Sequence, residues 1–222
     1  MHILWCNIKN INYTQKQKSM IENITNTKSY NYLHEEDMIR HISGLLLAEL
    51  AWYLLYGEGV KVIYDENKKP HYKSKKGYKD YYFNISHSSD IVICAISVEN
   101  IGVDIEKKCK FPQEIVDYIY SDNERKYCQS DDTRAYKLWT RKESYLKAIG
   151  KGVHGIRNMR SLINEDKVSD NYEKYKFVEL AIDKEYEAVA CTKADIEEIN
   201  IIGVDEKCIA RFMKILEEKE RW

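Results

Sequence analysis

The alternation of apolar and polar residues predicts a chain of short strands and long helices. In the first half, apolar runs predict strands, whereas the apolar residues of 37–56 recur at helical spacing. The polar segment 86–90 joins two strand-like runs and predicts a hairpin. The predicted elements of this half are strands at 3–8, 60–64, 81–85, 91–98 and 101–106 and a helix at 37–56.

The second half repeats this succession of elements. Apolar periodicity predicts helices at 113–128 and 134–149 and strands at 176–183 and 186–192. The hairpins 83–94 and 177–191 resemble each other, since each runs from an aromatic strand through a polar turn into an apolar strand that contains cysteine. Two hairpins are common in one protein, so this similarity alone does not establish a duplication.

Composition and charge exclude several classes of protein. A chain of 222 residues with 44% hydrophobic residues is long and apolar enough for a substantial core. The 35 basic and 36 acidic residues leave a net charge of −1, so no global basic field favours nucleic acid. No apolar run approaches the roughly 18 to 20 residues that span a bilayer, and the first residues lack the features of a signal peptide. We therefore expect a cytoplasmic protein.

Asp104 and Glu106 are the first residues that suggest a specific chemistry. Side chains alternate between the two faces of a strand, so both carboxylates lie on one face of the predicted strand 101–106. Two such charges raise each other's pKa unless a cation lies between them, and a divalent metal would serve. The alternative is an exposed strand face on which this spacing occurs by chance.

Glu143 adds a third carboxylate on the predicted helix 134–149. Trp139, Glu143 and Lys147 follow at steps of four residues, beside the apolar stripe of that helix. In the plainer interpretation, Glu143 and Lys147 form a surface ion pair worth about 0.3 to 0.5 kcal/mol. Oxygen ligands without histidine or thiolate suit magnesium, which binds carboxylates together with substrate phosphates. The three carboxylates together predict a magnesium site for a phosphate-bearing substrate.

A phosphate-bearing substrate also requires cations on the protein. The side chains that would supply them are Arg40, Lys69, His87, Lys142 and Lys147. Each of these, taken singly, is also typical of a solvated surface. No segment matches the phosphate-binding pattern GxxxxGK[ST], because Gly150-Lys151-Gly152 follows the predicted helix instead of opening it. This disfavours a nucleotide hydrolase of that class.

Three segments, taken in order, resemble the signature segments of 4'-phosphopantetheinyl transferases. They are FNISHS at 83–88, IGVDIE at 101–106 and LWTRKESYLKA at 138–148. The resemblance covers the middle third of the chain and is to the long, surfactin-synthetase-activating type. It implies an α+β monomer of two similar subdomains related by a pseudo-twofold axis, each a small antiparallel sheet with a long helix. We place these subdomains at 1–108 and 109–222, and the resemblance implies an active site in the cleft between them.

The resemblance also implies an activity and a set of site residues. Such enzymes move the 4'-phosphopantetheine group of coenzyme A onto a serine of an acyl or peptidyl carrier protein and release adenosine 3',5'-bisphosphate. Asp104, Glu106 and Glu143 match the family's magnesium ligands. The positions that match coenzyme A contacts are Arg40, Lys69, Ser86, His87, Lys142 and Lys147. The residues with matching catalytic positions are Glu143, Glu124 and Lys147, and the base is either Glu124 or a metal-bound water near Glu143.

One departure and two alternatives remain. The family often has a basic stretch before the Arg40 segment, whereas residues 23–31 offer only Lys28. The same carboxylates and cations would also suit a metal-dependent phosphodiesterase acting on a nucleotide. A non-catalytic module that binds coenzyme A or a carrier protein is the second alternative. We expect neither nucleic acid nor a membrane as a partner, and the pathway stays open among fatty acid, polyketide and nonribosomal peptide biosynthesis.

Overall fold

The computed structural model describes residues 1–25, 32–56, 62–66, 69–73, 80–129, 131–193 and 198–219, apart from the side chains of 153, 154 and 219. In chain order the elements are β1 (His2–Asn7), α1 (Gln15–Ile24), α2 (Glu35–Tyr56), β2 (Val62–Tyr64), β3 (Pro70–Tyr72), β4 (Tyr81–Ser88), β5 (Ile91–Ser97), β6 (Ile101–Lys107), α3 (Gln113–Ile119), α4 (Asp122–Cys128), α5 (Asp132–Ala148), a 3₁₀ helix (Val153–Asn158), β7 (Ile163–Asn164), β8 (Lys167–Val168), β9 (Asn171–Tyr172), β10 (Tyr175–Glu179), β11 (Tyr186–Thr192), β12 (Asn200–Gly203) and α6 (Glu206–Lys219).

The chain is α+β, as predicted, and divides into two compact units. Unit 1 comprises Met1–Val98 and Ile196–Trp222, and unit 2 comprises Glu99–Asp195. This division differs from the predicted halves 1–108 and 109–222. β6 belongs to unit 2 because it pairs along its whole length with β11. The C-terminal segment belongs to unit 1 because β12 pairs with β1.

Unit 1 is built on a six-stranded sheet with the order β12-β1-β5-β4-β3-β2. β12 runs parallel to β1, whereas the other neighbours are antiparallel, so this sheet is mixed and not purely antiparallel as predicted. The predicted hairpin is confirmed, although β4 continues to Ser88 and the turn is confined to Ser89 and Asp90. The long helix α2 packs on β1, β4 and β5.

α2 is the central helix of unit 1. Three acidic residues, Glu35, Glu36 and Asp37, occupy its first turn, where they complement the helix dipole. By length and composition α2 would also suit a membrane span, which differs from the expectation that no apolar run approaches that length. However, 67% of its most apolar window is buried inside the structure. The core of unit 1 therefore accounts for the apolar character of this helix.

Unit 2 is built on the four-stranded antiparallel sheet β6-β11-β10-β9. The long helix α5 packs on β6 and β11. The single helix predicted at 113–128 is wrong, since two helices, α3 and α4, occupy this stretch. Ser121 ends the continuity by forming a capping box with Glu124, which satisfies free N–H groups at the start of α4.

Each unit thus combines a sheet with one long helix, as the resemblance implies. The sheets differ in strand number and in direction of pairing, and the pseudo-twofold relation stays a prediction. The predicted strand 60–64 is seen in part: Val62–Tyr64 forms β2, and residues 60 and 61 lie outside the described residues.

Candidate active site

The close packing of α5 on β6 positions the carboxylates. Gly102, Asp104 and Glu106 alternate along β6 and so share one face. A Cβ atom at Gly102 would collide with the backbone of Ser144 and Ala148 on α5. Only glycine permits this approach, which brings the helix backbone directly against the strand that carries both acidic residues.

Glu143 lies on α5 and completes the predicted carboxylate cluster. Burial and the like charges of Asp104 and Glu106 raise its pKa, Lys147 lowers it, and the net pKa is about 7. Its Oε1 atom is buried and accepts no hydrogen bond from the described residues. The three carboxylates therefore interact electrostatically, as the sequence predicts, and one carboxylate oxygen is left for a further ligand or proton.

Lys147 and Trp139 bind the two strand carboxylates. The Lys147 Nζ atom lies 2.6 Å from Asp104 Oδ1 and donates a hydrogen bond to it. The indole Nε1 of Trp139 donates a hydrogen bond of 3.4 Å to Glu106 Oε1. The sequence places Trp139 on the ridge with Glu143 and Lys147, but this contact was missed because it depends on how α5 sits on β6.

A divalent cation fits the chemistry of this cluster. No three His, Cys, Asp and Glu side chains among the described residues are already arranged as a metal site. Asp104 is held instead by Lys147, whose ammonium supplies positive charge. The buried Oε1 of Glu143 and the all-oxygen donor set suit a hard cation such as magnesium. The three carboxylates interact electrostatically, and both the ligand set and the metal stay predictions.

Lys142 and Glu124 form a buried ion pair with each other. The Lys142 Nζ atom lies 3.0 Å from Glu124 Oε1, and each side chain is 1% exposed. Glu124 Oε1 also accepts a hydrogen bond from the backbone N–H of Leu162. Its Oε2 atom accepts from the backbone N–H of Ser121. This geometry argues against Glu124 as a base and Lys142 as a phosphate contact, because neither is accessible and both are engaged in packing α4 against α5.

The other predicted coenzyme A contacts lie in unit 1. Ser86 is buried and His87 exposed, because they occupy successive positions of β4 and point to opposite faces. Arg40 on α2 donates a hydrogen bond of 3.0 Å from Nε to the carbonyl oxygen of Ser89, in the turn after β4. Its guanidinium also pairs with acidic residues in the first turn of α2. The structure therefore brings Arg40 to the hairpin that carries Ser86 and His87.

Lys69 and His41 extend this region of unit 1. Lys69 is buried and immediately precedes β3, which pairs with β4. His41 follows Arg40 on α2 and was not predicted. Burial lowers the pKa of His41, and the charge of His87 lowers it further, so the two imidazoles interact electrostatically. The sequence signal for His41 is only its place beside Arg40.

Comparison with known proteins identifies the segment that contains the carboxylate cluster. The family model described as the 4'-phosphopantetheinyl transferase superfamily matches residues 100–194. The match is to this segment and not to the whole chain. The segment contains Asp104, Glu106, Glu143 and Lys147. The predicted resemblance is therefore confirmed for the segments 101–106 and 138–148.

Several known phosphopantetheinyl transferases are similar to the chain. The 4'-phosphopantetheinyl transferase gsp of Aneurinibacillus migulanus is 37% identical over 131 residues, which cover 55% of this chain and 53% of that protein. The 4'-phosphopantetheinyl transferase Sfp of Bacillus subtilis (strain 168) is 33% identical over 134 residues, or 57% and 58% of the two chains. HetI of Nostoc is 29% identical over 119 residues and half of each chain. The chain thus spans between half and three fifths of these phosphopantetheinyl transferases.

Proposed function

We propose that this protein transfers the 4'-phosphopantetheine group of coenzyme A to a serine of an acyl or peptidyl carrier protein. The observation that carries the proposal is the cluster of Asp104, Glu106 and Glu143 beside Lys147, inside the segment that the transferase superfamily model matches. Similar proteins named 4'-phosphopantetheinyl transferase support it. The products would be the holo carrier protein and adenosine 3',5'-bisphosphate.

Asp104, Glu106 and Glu143 would hold the magnesium ion that we propose as the cofactor. The ion would neutralise charge on the pyrophosphate of coenzyme A. At Gly102 the backbone of β6 packs directly against the backbone of α5. This close packing keeps the carboxylates on both elements in place before substrate binds. Trp139 restricts the orientation of Glu106 by its hydrogen bond.

Glu143 is the proton acceptor that the geometry favours. Its carboxylate belongs to the cluster beside which the pyrophosphate would bind, and its Oε1 accepts no hydrogen bond from the described residues. As the carrier serine attacks the β-phosphorus, the Glu143 carboxylate would take the hydroxyl proton. The bond to the departing nucleotide phosphate breaks, and Lys147 stabilises the charge that develops there.

We further propose that Arg40, Lys69, Ser86 and His87 of unit 1 contact coenzyme A. The hydrogen bond from Arg40 to Ser89 supports this, because it groups Arg40 with the hairpin of Ser86 and His87. The exposed imidazole of His87 and the cationic Arg40 suit a phosphate.

Transfer is tested by incubating the protein with coenzyme A, magnesium and apo carrier proteins, and measuring addition of phosphopantetheine by mass. Glu106→Ala should lower the rate by orders of magnitude, as should a chelator. Glu185→Ala, which removes an exposed acid of the same unit, is the matched control and should retain the rate. No mass shift with any carrier, or near-normal transfer by Glu106→Ala, would refute the proposal. Hydrolysis of coenzyme A without a carrier would favour the phosphodiesterase alternative.

A further inference from the structure

Lys147 occupies the position of a counter-ion within the carboxylate cluster. Its Nζ atom lies 2.6 Å from Asp104 Oδ1, on a carboxylate whose side chain is only 4% exposed. Lys147 also opposes the rise of the Glu143 pKa, so its charge is felt across the cluster. Lys147 thus acts on at least two of the three carboxylates, Asp104 and Glu143.

Lys147 differs from its neighbour Lys142 in its freedom to move. Lys142 is 1% exposed and locked to Glu124, whereas the side chain of Lys147 is 28% exposed. A partly exposed lysine has a long flexible stem and can change partner by rotating its side chain, without any movement of the helix. Lys147 is therefore the cation of α5 that is able to leave its carboxylate.

We infer that Lys147 holds Asp104 in the free protein and transfers to the pyrophosphate of coenzyme A when substrate binds, so that metal and coenzyme A bind cooperatively. This inference rests on the proposed function. A divalent cation that arrives alone must compete with the ammonium of Lys147 for Asp104. When coenzyme A is present, its phosphates offer Lys147 a new anionic partner and Asp104 is released to the metal.

The charges explain why the exchange is favourable. The cluster has more carboxyl groups than cations among the residues that the structure pairs with it, so a divalent cation reduces the repulsion between these groups. The pyrophosphate of coenzyme A then adds negative charge beside the cluster. The Lys147 ammonium stabilises that charge best when it is no longer paired with Asp104. Cooperativity of this kind is reciprocal, so the metal must strengthen coenzyme A binding by the same factor.

The test measures binding of Mn²⁺, as a probe for the metal, from the electron paramagnetic resonance signal of the free ion. Titrations are run with and without coenzyme A. In the wild type, coenzyme A should strengthen Mn²⁺ binding about tenfold or more. Lys147→Met should bind Mn²⁺ alone about tenfold more tightly, because a nearby positive charge is removed. With coenzyme A present, Lys147→Met should bind Mn²⁺ no more tightly than the wild type does. Coenzyme A should therefore no longer strengthen Mn²⁺ binding by this variant.

Two further variants serve as controls. Lys151→Met removes the same charge from an exposed lysine just after α5 and should behave as the wild type. Lys147→Arg keeps a cation that can pair with Asp104 and should retain cooperativity.

Three results would overturn the inference. The first is a Lys147→Met protein whose Mn²⁺ affinity is unchanged or weaker. The second is a Lys147→Met protein that binds Mn²⁺ more tightly by the same factor with and without coenzyme A, which means that the lysine stays on Asp104. The third is a wild-type protein whose Mn²⁺ binding does not respond to coenzyme A. Because carrier transfer is not used, a protein that transfers phosphopantetheine yet fails here contradicts only this inference. Failure of transfer alone contradicts only the proposed function.

Discussion

At the scale of single residues, the described part of the structure contains three buried carboxyl groups with raised pKa values, Glu49, Glu143 and Glu187, and the sequence points to only one of them. Glu143 is recognisable in the sequence because Trp139, Glu143 and Lys147 follow one another at steps of four residues, which is helical spacing. Glu49 lies within the apolar run of α2, where nothing local distinguishes it from a surface position. In the structure Glu49 is buried, and the hydroxyl of Tyr72, from β3, donates a hydrogen bond to its carboxyl group. A contact between distant segments of this kind is not present in a local pattern.

Glu49 should make the stability of unit 1 depend on pH. Burial raises its pKa to about 7 from the ordinary value of 4.5. The folded state therefore keeps the proton above pH 4.5, where the unfolded state loses it, so stability falls as pH rises from about 4.5 to about 7 and then levels off. Glu49→Gln removes this effect. Urea unfolding should show the variant gaining up to about 3 kcal/mol relative to wild type between pH 5 and pH 8.

Glu35→Gln is the control for this measurement. It changes an exposed acid on the same helix. The interpretation of Glu49 is contradicted if the difference between Glu49→Gln and wild type is the same at both pH values.

At the scale of elements, the sequence predicted the strand and the helix that carry the site, and it failed where two helices meet. β6 and α5 were predicted within two residues because their apolar periods are regular. The break between α3 and α4 was missed, although Ser121 and Glu124 have the spacing of a capping box. Apolar residues continue at helical spacing across the break, so the period masks it. Glu124, which was named as a candidate base from the resemblance, is buried against α5.

The ion pair of Glu124 with Lys142 should stabilise the packing of α4 on α5 and should not take the proton of the reaction. Glu124→Gln and Lys142→Met should each cost about 3 kcal/mol, since each leaves a buried charge without its partner, and the double variant should recover part of this. Urea unfolding gives these values. At a temperature where Glu124→Gln is folded, transfer should stay within about tenfold of wild type, because removal of a general base costs about 10² to 10⁴.

Glu143→Gln supplies the comparison, because it leaves the ion pair intact. It should lower transfer far more than Glu124→Gln while costing less stability. If a folded Glu124→Gln protein loses transfer by a hundredfold or more, Glu124 is the base and the assignment to Glu143 fails.

At the scale of the whole molecule, a C-terminal strand joins the same sheet as the first strand. β12 pairs with β1, with Asn200 opposite His2, and α6 follows. Neither element was predicted from the sequence. The four residues of β12 are too few to show a period, and the partner of a strand is set by the fold and not by its own pattern. The 14 residues of α6 do have a helical period, which was not used in the prediction. The predicted halves were therefore drawn from chain order, whereas the last part of the chain completes the first unit.

Removal of the residues after 195 should unfold unit 1 and spare unit 2. α6 buries four large apolar side chains in the core of unit 1: Ile209, Phe212, Met213 and Leu216. At about 1.5 to 3 kcal/mol each, their loss is comparable to the whole stability of a domain, about 5 to 15 kcal/mol. Hydrogen exchange of the shortened chain should therefore show loss of protection in β1 and α2, with β6, β11 and α5 still protected. Two full-length variants calibrate the effect: Phe212→Ala should cost about 3 to 5 kcal/mol, and Lys214→Ala, exposed on the same helix, close to nothing. If β1 and α2 stay protected in the shortened chain, the C-terminal segment is not part of the core of unit 1.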